Sequence, residues 1–153
     1  MDSGMFAYLF EYTLNEEYTS KTIKAIVRFS TVGEMLRQEG FEVQMPGQIL
    51  GLSGITYASN IVAKKKLKDG KQIVLTIDGI VADTIVDATH IMEVTAKMLD
   101  AKPDVAFFLA IPKLEEKAAN LSRQFNIIPI EAKDVNEASG KVRESLAKRE
   151  LNG

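Results

Sequence analysis

The sequence lacks several features that would point directly to a class of protein. It contains no cysteine, which excludes a disulfide framework, a thiolate metal site and a thiol nucleophile. No apolar run approaches the ~20 residues that a membrane-spanning helix needs. The first residues surround their apolar part with acidic groups and have no basic region, so they do not fit a secretory signal. We therefore expect a cytoplasmic protein that does not associate with membranes.

The sequence also has no excess of basic residues, because it contains 19 basic and 21 acidic residues and its net charge is −2. Duplex-binding proteins usually carry such an excess, since neutralising phosphates dominates their affinity. A nucleic-acid contact would therefore need a local patch, and the one basic concentration is the lysines at positions 64, 65, 66, 68 and 71. No aromatic residues alternate with these lysines, so we favour the interpretation that they protect a sheet edge from pairing with other chains.

Length and pattern predict one α/β domain over residues 1–153, since 153 residues suit a single domain and neither a repeat nor a linker is present. Alternating or continuous apolar residues predict strands, and apolar residues at 3.6 spacing predict helices. The predicted strands cover residues 5–14, 41–46, 55–66, 72–78, 105–111 and 127–132. The predicted helices cover residues 16–39, 84 to about 102, 113–125 and 134 to about 151, with Thr84 and Asp134 as the predicted N-caps of the second and the fourth.

These elements predict a mixed central sheet of about five to six strands flanked by helices, with a core over about residues 15–132. The N-terminal strand and the C-terminal helix are additions to that core. The run 105–111, VAFFLAI, is the best central strand because it is continuously apolar. Pro129 places the last strand at an edge, since proline cannot donate to a sheet ladder. Residues 47–54 are predicted to be irregular because glycines interrupt any period.

The order helix, three strands, helix, strand resembles the restriction-endonuclease-like, or PD-(D/E)xK nuclease, fold. Three phrases carry this resemblance: EMLRQEGFEV, GLSGITYASNIVAKKK and VAFFLAIPKLEEKAANLSRQFNIIPIEA. The first is similar to a helix that runs through a glycine into the first strand. The second is similar to the turn that leads into an acidic strand start, and the third to the final strand, helix and strand. The resemblance covers about residues 32–132 and implies the αβββαβ core of that family.

In that family an acid on the second strand and an acid on the third converge on a divalent cation, and a lysine lies two residues beyond the second acid. Hard cations such as Mg²⁺ take oxygen ligands and polarise the phosphate. The first acid would fall here at Ser59 or Asn60, and neither side chain is ionised. The second acid would fall at Thr76 or Asp78, and neither alignment supplies the lysine. The resemblance therefore implies a degenerate member that lacks the catalytic motif.

Three functions remain open from the sequence. The first is a non-catalytic nuclease-like domain that acts in interaction or regulation, with nucleic acid as one class of partner and with no cofactor. The second is a Mg²⁺-dependent nuclease with a migrated active site, for which the candidates are Asp78, Asn60, Glu34 and Lys64, with Asp78 as the metal ligand. The third is a domain that binds a small ligand or a nucleotide near residues 78–83.

Several other features have both a functional and a structural interpretation. Asp83 and Asp87 could join Asp78 in a metal site, but we favour a turn formed by Asp78, Gly79 and Asp83, with Asp87 in the first turn of a helix. The only histidine, His90, has no nucleophile signature beside it, so we interpret it as a helix residue. The alternating aromatic residues from Phe6 to Tyr12 predict a buried or subunit-contacting strand. We therefore expect a homodimer formed by the N-terminal strand and the C-terminal helix.

Overall fold

A five-stranded mixed sheet organises residues 27–151, the part of the chain that the computed structural model describes. The strands are β1 (Glu42–Gln44), β2 (Gly47–Leu50), β3 (Thr56–Ser59), β4 (Ile61–Lys66), β5 (Gln72–Val81), β6 (Val105–Ile111) and β7 (Ile127–Glu131). The helices are α1 (Ser30–Gln38), α2 (Ala88–Asp100), α3 (Glu116–Gln124) and α4 (Val135–Lys148).

The sheet order is β1-β4-β5-β6-β7, with antiparallel pairing from β1 to β5 and parallel pairing from β5 to β7. Every residue of β6 is buried, which confirms the prediction of an interior strand. Strand β7 lies at the edge, as Pro129 predicts. The predicted α/β class and the mixed sheet flanked by helices are therefore confirmed.

Each face of the sheet packs against its own pair of helices. One face contacts α1 and α4 through a buried cluster that includes Leu36, Leu75, Phe107 and Leu146. The other face contacts α2 and α3 through a second cluster that includes Ile91 and Phe108. Alternate residues of β5 and β6 enter these two clusters because successive side chains of a strand point to opposite faces. A polar residue on β5 can thus be covered by α2.

The segment between β1 and β5 differs from its prediction. Residues 47–54 were expected to be irregular, but residues 47–50 form β2, which pairs with β3 in a separate two-stranded sheet. The predicted strand 55–66 is two strands, β3 and β4, because the chain changes sheets at Asn60. Gly47 permits this crossing, since a Cβ there would lie 2.4 Å from Val62 Cγ2. The pattern of apolar residues cannot show that a strand segment leaves one sheet and joins another.

Two helix starts show how capping decides the boundary. Thr84 was expected to cap α2, but Asp87 is the N-cap and accepts a hydrogen bond from the Thr89 N–H at 2.9 Å. The expected cap of α4 is confirmed, because Asp134 accepts from the Glu137 N–H at 2.8 Å. Asp and Thr both cap helices well, so composition alone could not choose between positions 84 and 87.

The lysine run divides into two structural roles. Lys65 donates to the carbonyl of Glu39 at 2.6 Å, just after α1, and its ammonium lies 5.4 Å from the centre of the Phe41 ring. The lysines at positions 64, 66, 68 and 71 are exposed. One lysine of the run therefore stabilises the end of a helix, and the others form a basic surface at the β4–β5 turn. The expectation that they protect an edge strand is wrong, because β4 lies between β1 and β5, and β5 lies between β4 and β6.

Some predictions fall outside the described residues. The predicted strand 5–14 and residues 16–26 of the predicted helix 16–39 lie outside residues 27–151. Within residues 27–151, no helix is both long and apolar enough to cross a membrane.

Candidate functional site

A buried ion pair between Asp78 on β5 and Lys97 on α2 forms the centre of the site. The Lys97 ammonium lies 2.9 Å from Asp78 Oδ1 and 2.8 Å from Asp78 Oδ2, so it contacts both carboxylate oxygens. The Asp78 side chain is 14% exposed and the Lys97 side chain is 5% exposed. Asp78 faces α2 because it occupies the β5 face opposite to Leu75 and Ile77, which enter the other core cluster.

The junction between β3 and β4 supplies the polar neighbours of this pair. The Lys97 ammonium donates to Ser59 Oγ at 2.5 Å, which completes three hydrogen bonds from the ammonium. Asn60 lies beside the pair, and its Oδ1 accepts a hydrogen bond from the Gly79 N–H at 3.0 Å. Gly79 fits there without a side chain, since a Cβ would lie 2.9 Å from Phe29 Cζ. Asn60 thus ties the crossing between sheets to β5.

A cavity of about 200 Å³ opens beside the ion pair. Its lining includes Asp78, Asn60 and Lys97, and also Tyr57 from β3 and His90 and Glu93 from α2. His90, Glu93 and Lys97 share one side of α2 because they are three and four residues apart. The cavity therefore combines both charge signs with a hydroxyl and an amide.

The electrostatics of Asp78 follow from its burial. Loss of water raises the pKa of the Asp78 carboxyl, and the Lys97 ammonium and the Ser59 hydroxyl oppose that rise. The charged carboxylate thus depends on its cation, because an unpaired charge in a low-dielectric interior is costly. The pair forms one electrostatic unit with no excess charge.

Asp100, at the end of α2, anchors the β2–β3 hairpin beside the cavity. Its carboxylate accepts hydrogen bonds from the Ser53 N–H at 2.9 Å, from Ser53 Oγ at 2.5 Å and from the Tyr57 hydroxyl at 2.8 Å. The Ser53 hydrogen bonds, followed by that of Tyr57, lower the pKa of Asp100. The Asp100 hydrogen bond raises the pKa of Tyr57. One carboxylate therefore positions Tyr57 on the cavity wall.

The structure brings together two of the four site residues proposed from the sequence. Asp78 and Asn60 line the same cavity. Glu34 lies on α1, which packs against the opposite face of the sheet, and it forms an ion pair with Arg37. Lys64 lies on β4 opposite Val74, near the other end of β5. Thr76, the alternative to Asp78, is fully buried, and its hydroxyl has no hydrogen-bond partner among the described residues.

The acidic residues after β5 do not converge with Asp78. Asp87 is occupied as the N-cap of α2, and Asp83 is exposed in the preceding loop. Across residues 27–151, no three His, Asp or Glu side chains come close enough to hold a metal ion. The expected turn at Asp78 and Gly79 is wrong, because both residues belong to β5, whereas Asp87 does lie at the start of a helix.

Lys97 is the residue that sequence reasoning missed. It shares the buried side of α2 with Val94, three residues earlier, and with Ile91, six residues earlier. A lysine on an apolar stripe indicates a buried partner, because lysine is almost never buried unpaired. That signal was present in the sequence, but it does not say which acid is the partner.

The sequence matches no protein-family model, and no curated protein matches it. Solved structures do resemble it. A protein of unknown function called AF1548 has a TM-score of 0.53 and 15% identity, and the match covers 81% of this chain and 78% of that one. The MspJI restriction endonuclease, solved in complex with a 27-mer oligonucleotide, has a TM-score of 0.51 and 12% identity.

The MspJI match covers all of this chain but only 34% of the MspJI chain, so this protein spans about a third of that enzyme. The DNA modification-dependent restriction endonuclease AspBHI has a TM-score of 0.49 and 8% identity, over 100% of this chain and 40% of that one. At such identities a structural likeness defines the fold and no more. The fold of residues 27–151 is restriction-endonuclease-like.

Proposed function

We propose that this protein is a non-catalytic restriction-endonuclease-like domain in which a lysine takes the place of the divalent cation. The observation that carries the proposal is the contact of the Lys97 ammonium with both oxygens of Asp78, at 2.9 and 2.8 Å. A metal ligand must present a free oxygen to the cation, and a Mg²⁺ site needs one or two carboxylates. Here the single central carboxylate is already neutralised.

The surroundings of the pair support the same proposal. The oxygen of the Asn60 amide accepts from the Gly79 N–H, so one of its two lone pairs is already used. Ser59, at the alternative position of the first acid, carries a hydroxyl that contacts the Lys97 ammonium at 2.5 Å. A site of this kind stabilises the junction of β3, β4 and α2, and no group of three His, Asp or Glu side chains forms there or elsewhere in residues 27–151 to hold a cation.

As partners we propose nucleic acid and a second copy of the chain. The exposed lysines at positions 64, 66, 68 and 71 form the local basic surface that backbone contact would need. The predicted N-terminal strand and the helix α4 would supply the self-complementary patch of a homodimer. Sedimentation at micromolar concentration tests the dimer, which a purely monomeric protein would contradict.

A nuclease with a migrated active site is the second candidate. The observation that favours it is that Asn60, Asp78 and Lys97 line one cavity. In such an enzyme Asp78 and the Asn60 oxygen would bind Mg²⁺, and Lys97 would take the role of the missing lysine. Glu34 and Lys64 would have no part in it, because they lie away from this cavity.

DNA cleavage separates the two candidates. Plasmid and branched DNA are incubated with the wild-type protein and with Asp78→Asn, in the presence of Mg²⁺ or Mn²⁺. The non-catalytic domain leaves the DNA intact with either protein. Cleavage by the wild type that Asp78→Asn abolishes would overturn the proposal and support the nuclease. Glu144→Gln, an exposed change on α4, is the matched control for carboxylate removal.

A further inference from the structure

A second cavity lies at the amino ends of β6 and β7, and it shares no lining residue with the cavity at Asp78. It is an open cleft with a volume of about 620 Å³, which falls within the ~300–1,000 Å³ typical of small-molecule sites. Val105 and Ile127, the first residues of β6 and β7, form part of its wall. Its volume can accept an organic ligand and not only an ion.

Two arginines approach this cavity from opposite faces of the sheet. Arg123 lies in the last turn of α3, and Arg149 directly follows α4. Within residues 27–151 neither arginine forms an ion pair, and the Arg123 guanidinium has a contact of 3.5 Å with Asn120 Oδ1. A guanidinium presents a planar fork of donors that fits a phosphate or a carboxylate. The two guanidinium groups therefore favour the binding of an anion in this cavity.

The rest of the lining is apolar with two polar groups. Met98 and Ile128 contribute apolar surface that could cover a flat ring. Asp104 uses its Oδ2 to accept from the Val74 N–H at 2.8 Å, so Oδ1 remains to accept from a ligand hydroxyl. Asn126 can both donate to and accept from the edge of a ring. A bare anion held by the two arginines would make no use of these groups.

We propose that this cavity binds a nucleoside phosphate. The phosphate would contact Arg123 and Arg149, the sugar hydroxyls would donate to Asp104, and the base would lie against the apolar wall. This site is independent of the proposed function, because it does not involve Asp78 or Lys97.

Isothermal titration with AMP, ADP and inorganic phosphate tests the proposal. We expect one AMP or ADP per chain, and at least about tenfold weaker binding for Arg123→Ala and for Arg149→Ala, since each removes charge-assisted hydrogen bonds. Lys148→Ala is the matched control, because it removes a positive charge one residue away from Arg149 and should change the affinity less than about twofold. Inorganic phosphate should bind more weakly than AMP, because it does not reach the apolar wall.

Both arginines also lie at helix C-termini, where a cation stabilises the helix. Arg149→Lys keeps that charge but loses the planar fork, so it should weaken AMP binding while the thermal midpoint stays unchanged. Absence of nucleotide binding to the wild type would overturn the proposal, as would wild-type affinity in either Arg123→Ala or Arg149→Ala. Phosphate that binds as tightly as AMP would overturn the nucleoside part of it.

Discussion

Replacing Lys97 by methionine tests the ion pair most sharply, because methionine keeps much of the volume and removes the charge. The variant leaves the Asp78 carboxylate without the ammonium that now lies 2.8 and 2.9 Å from its oxygens. Removing one partner of a buried pair costs about 3–5 kcal/mol, whereas an exposed pair contributes about 0–1 kcal/mol. Side-chain exposures of 5% and 14% place this pair among the buried ones.

We expect the lower end of that range, about 3 kcal/mol, since the partly exposed Asp78 can take up a proton or contact water. Urea unfolding at pH 7 measures the change, with the m-value as the check that the unfolding transition is comparable. Lys141→Met is the matched control, because its pair with Glu137 is 3.4 Å long and largely exposed, and its hydrogen bond to the Glu131 carbonyl at 2.7 Å is also exposed. The control should lose at most about 1 kcal/mol.

A double variant, Asp78→Leu with Lys97→Met, completes the test. Replacing a buried pair by apolar residues is often neutral or stabilising, so the double variant should be more stable than Lys97→Met alone. A loss below about 1 kcal/mol for Lys97→Met, equal to that of the control, would refute the claim that Asp78 depends on its lysine.

Two further predictions concern the acids of the site. Burial raises the pKa of the Asp78 carboxyl in the folded protein above its ordinary value of 3.8. Between these two pKa values the unfolded chain has lost the carboxyl proton, whereas the folded protein retains it. The contribution of Asp78 to stability therefore falls as the pH rises from 3.8 through the folded-state pKa. Asp78→Asn should remove this fall in a pH series of urea unfolding, and an identical slope in both proteins would count against it. The pKa of Asp100 is lowered, so its stabilisation is complete above pH 3.8 and is lost as the pH falls through its folded value. Asp100→Ala should increase amide hydrogen exchange in β2 and β3 at neutral pH, and unchanged protection there would show that the carboxylate does not anchor the hairpin.

Much of the fold could be predicted because local pattern and burial agree over long segments. The apolar run of β6 and the edge position of Pro129 follow from chemistry that acts within a few residues. The division at Asn60 could not be predicted in the same way. It depends on which strand pairs with β3, and this is a long-range choice.

Only part of the site could be predicted from the sequence. Asn60 directly precedes β4, and Asp78 lies on β5, which pairs with β4, so this pairing places the two residues together. Lys97 lies 19 residues beyond Asp78 and reaches it only because α2 packs across the sheet. The two arginines of the second cavity come from different helices, and no spacing rule connects them. Tertiary packing brings Lys97 to Asp78 and the two arginines to one cavity, and no local sequence pattern encodes such packing.

Mn²⁺ binding by the wild-type protein tests the central claim most directly. Mn²⁺ is titrated into the wild type and into Asp78→Asn at neutral pH, and the free ion is followed by electron paramagnetic resonance, with DNA cleavage measured on the same samples. Because the Lys97 ammonium neutralises Asp78, we predict that the two proteins bind Mn²⁺ equally weakly and that neither cleaves DNA. Stoichiometric binding and cleavage by the wild type, both lost in Asp78→Asn, would contradict this account.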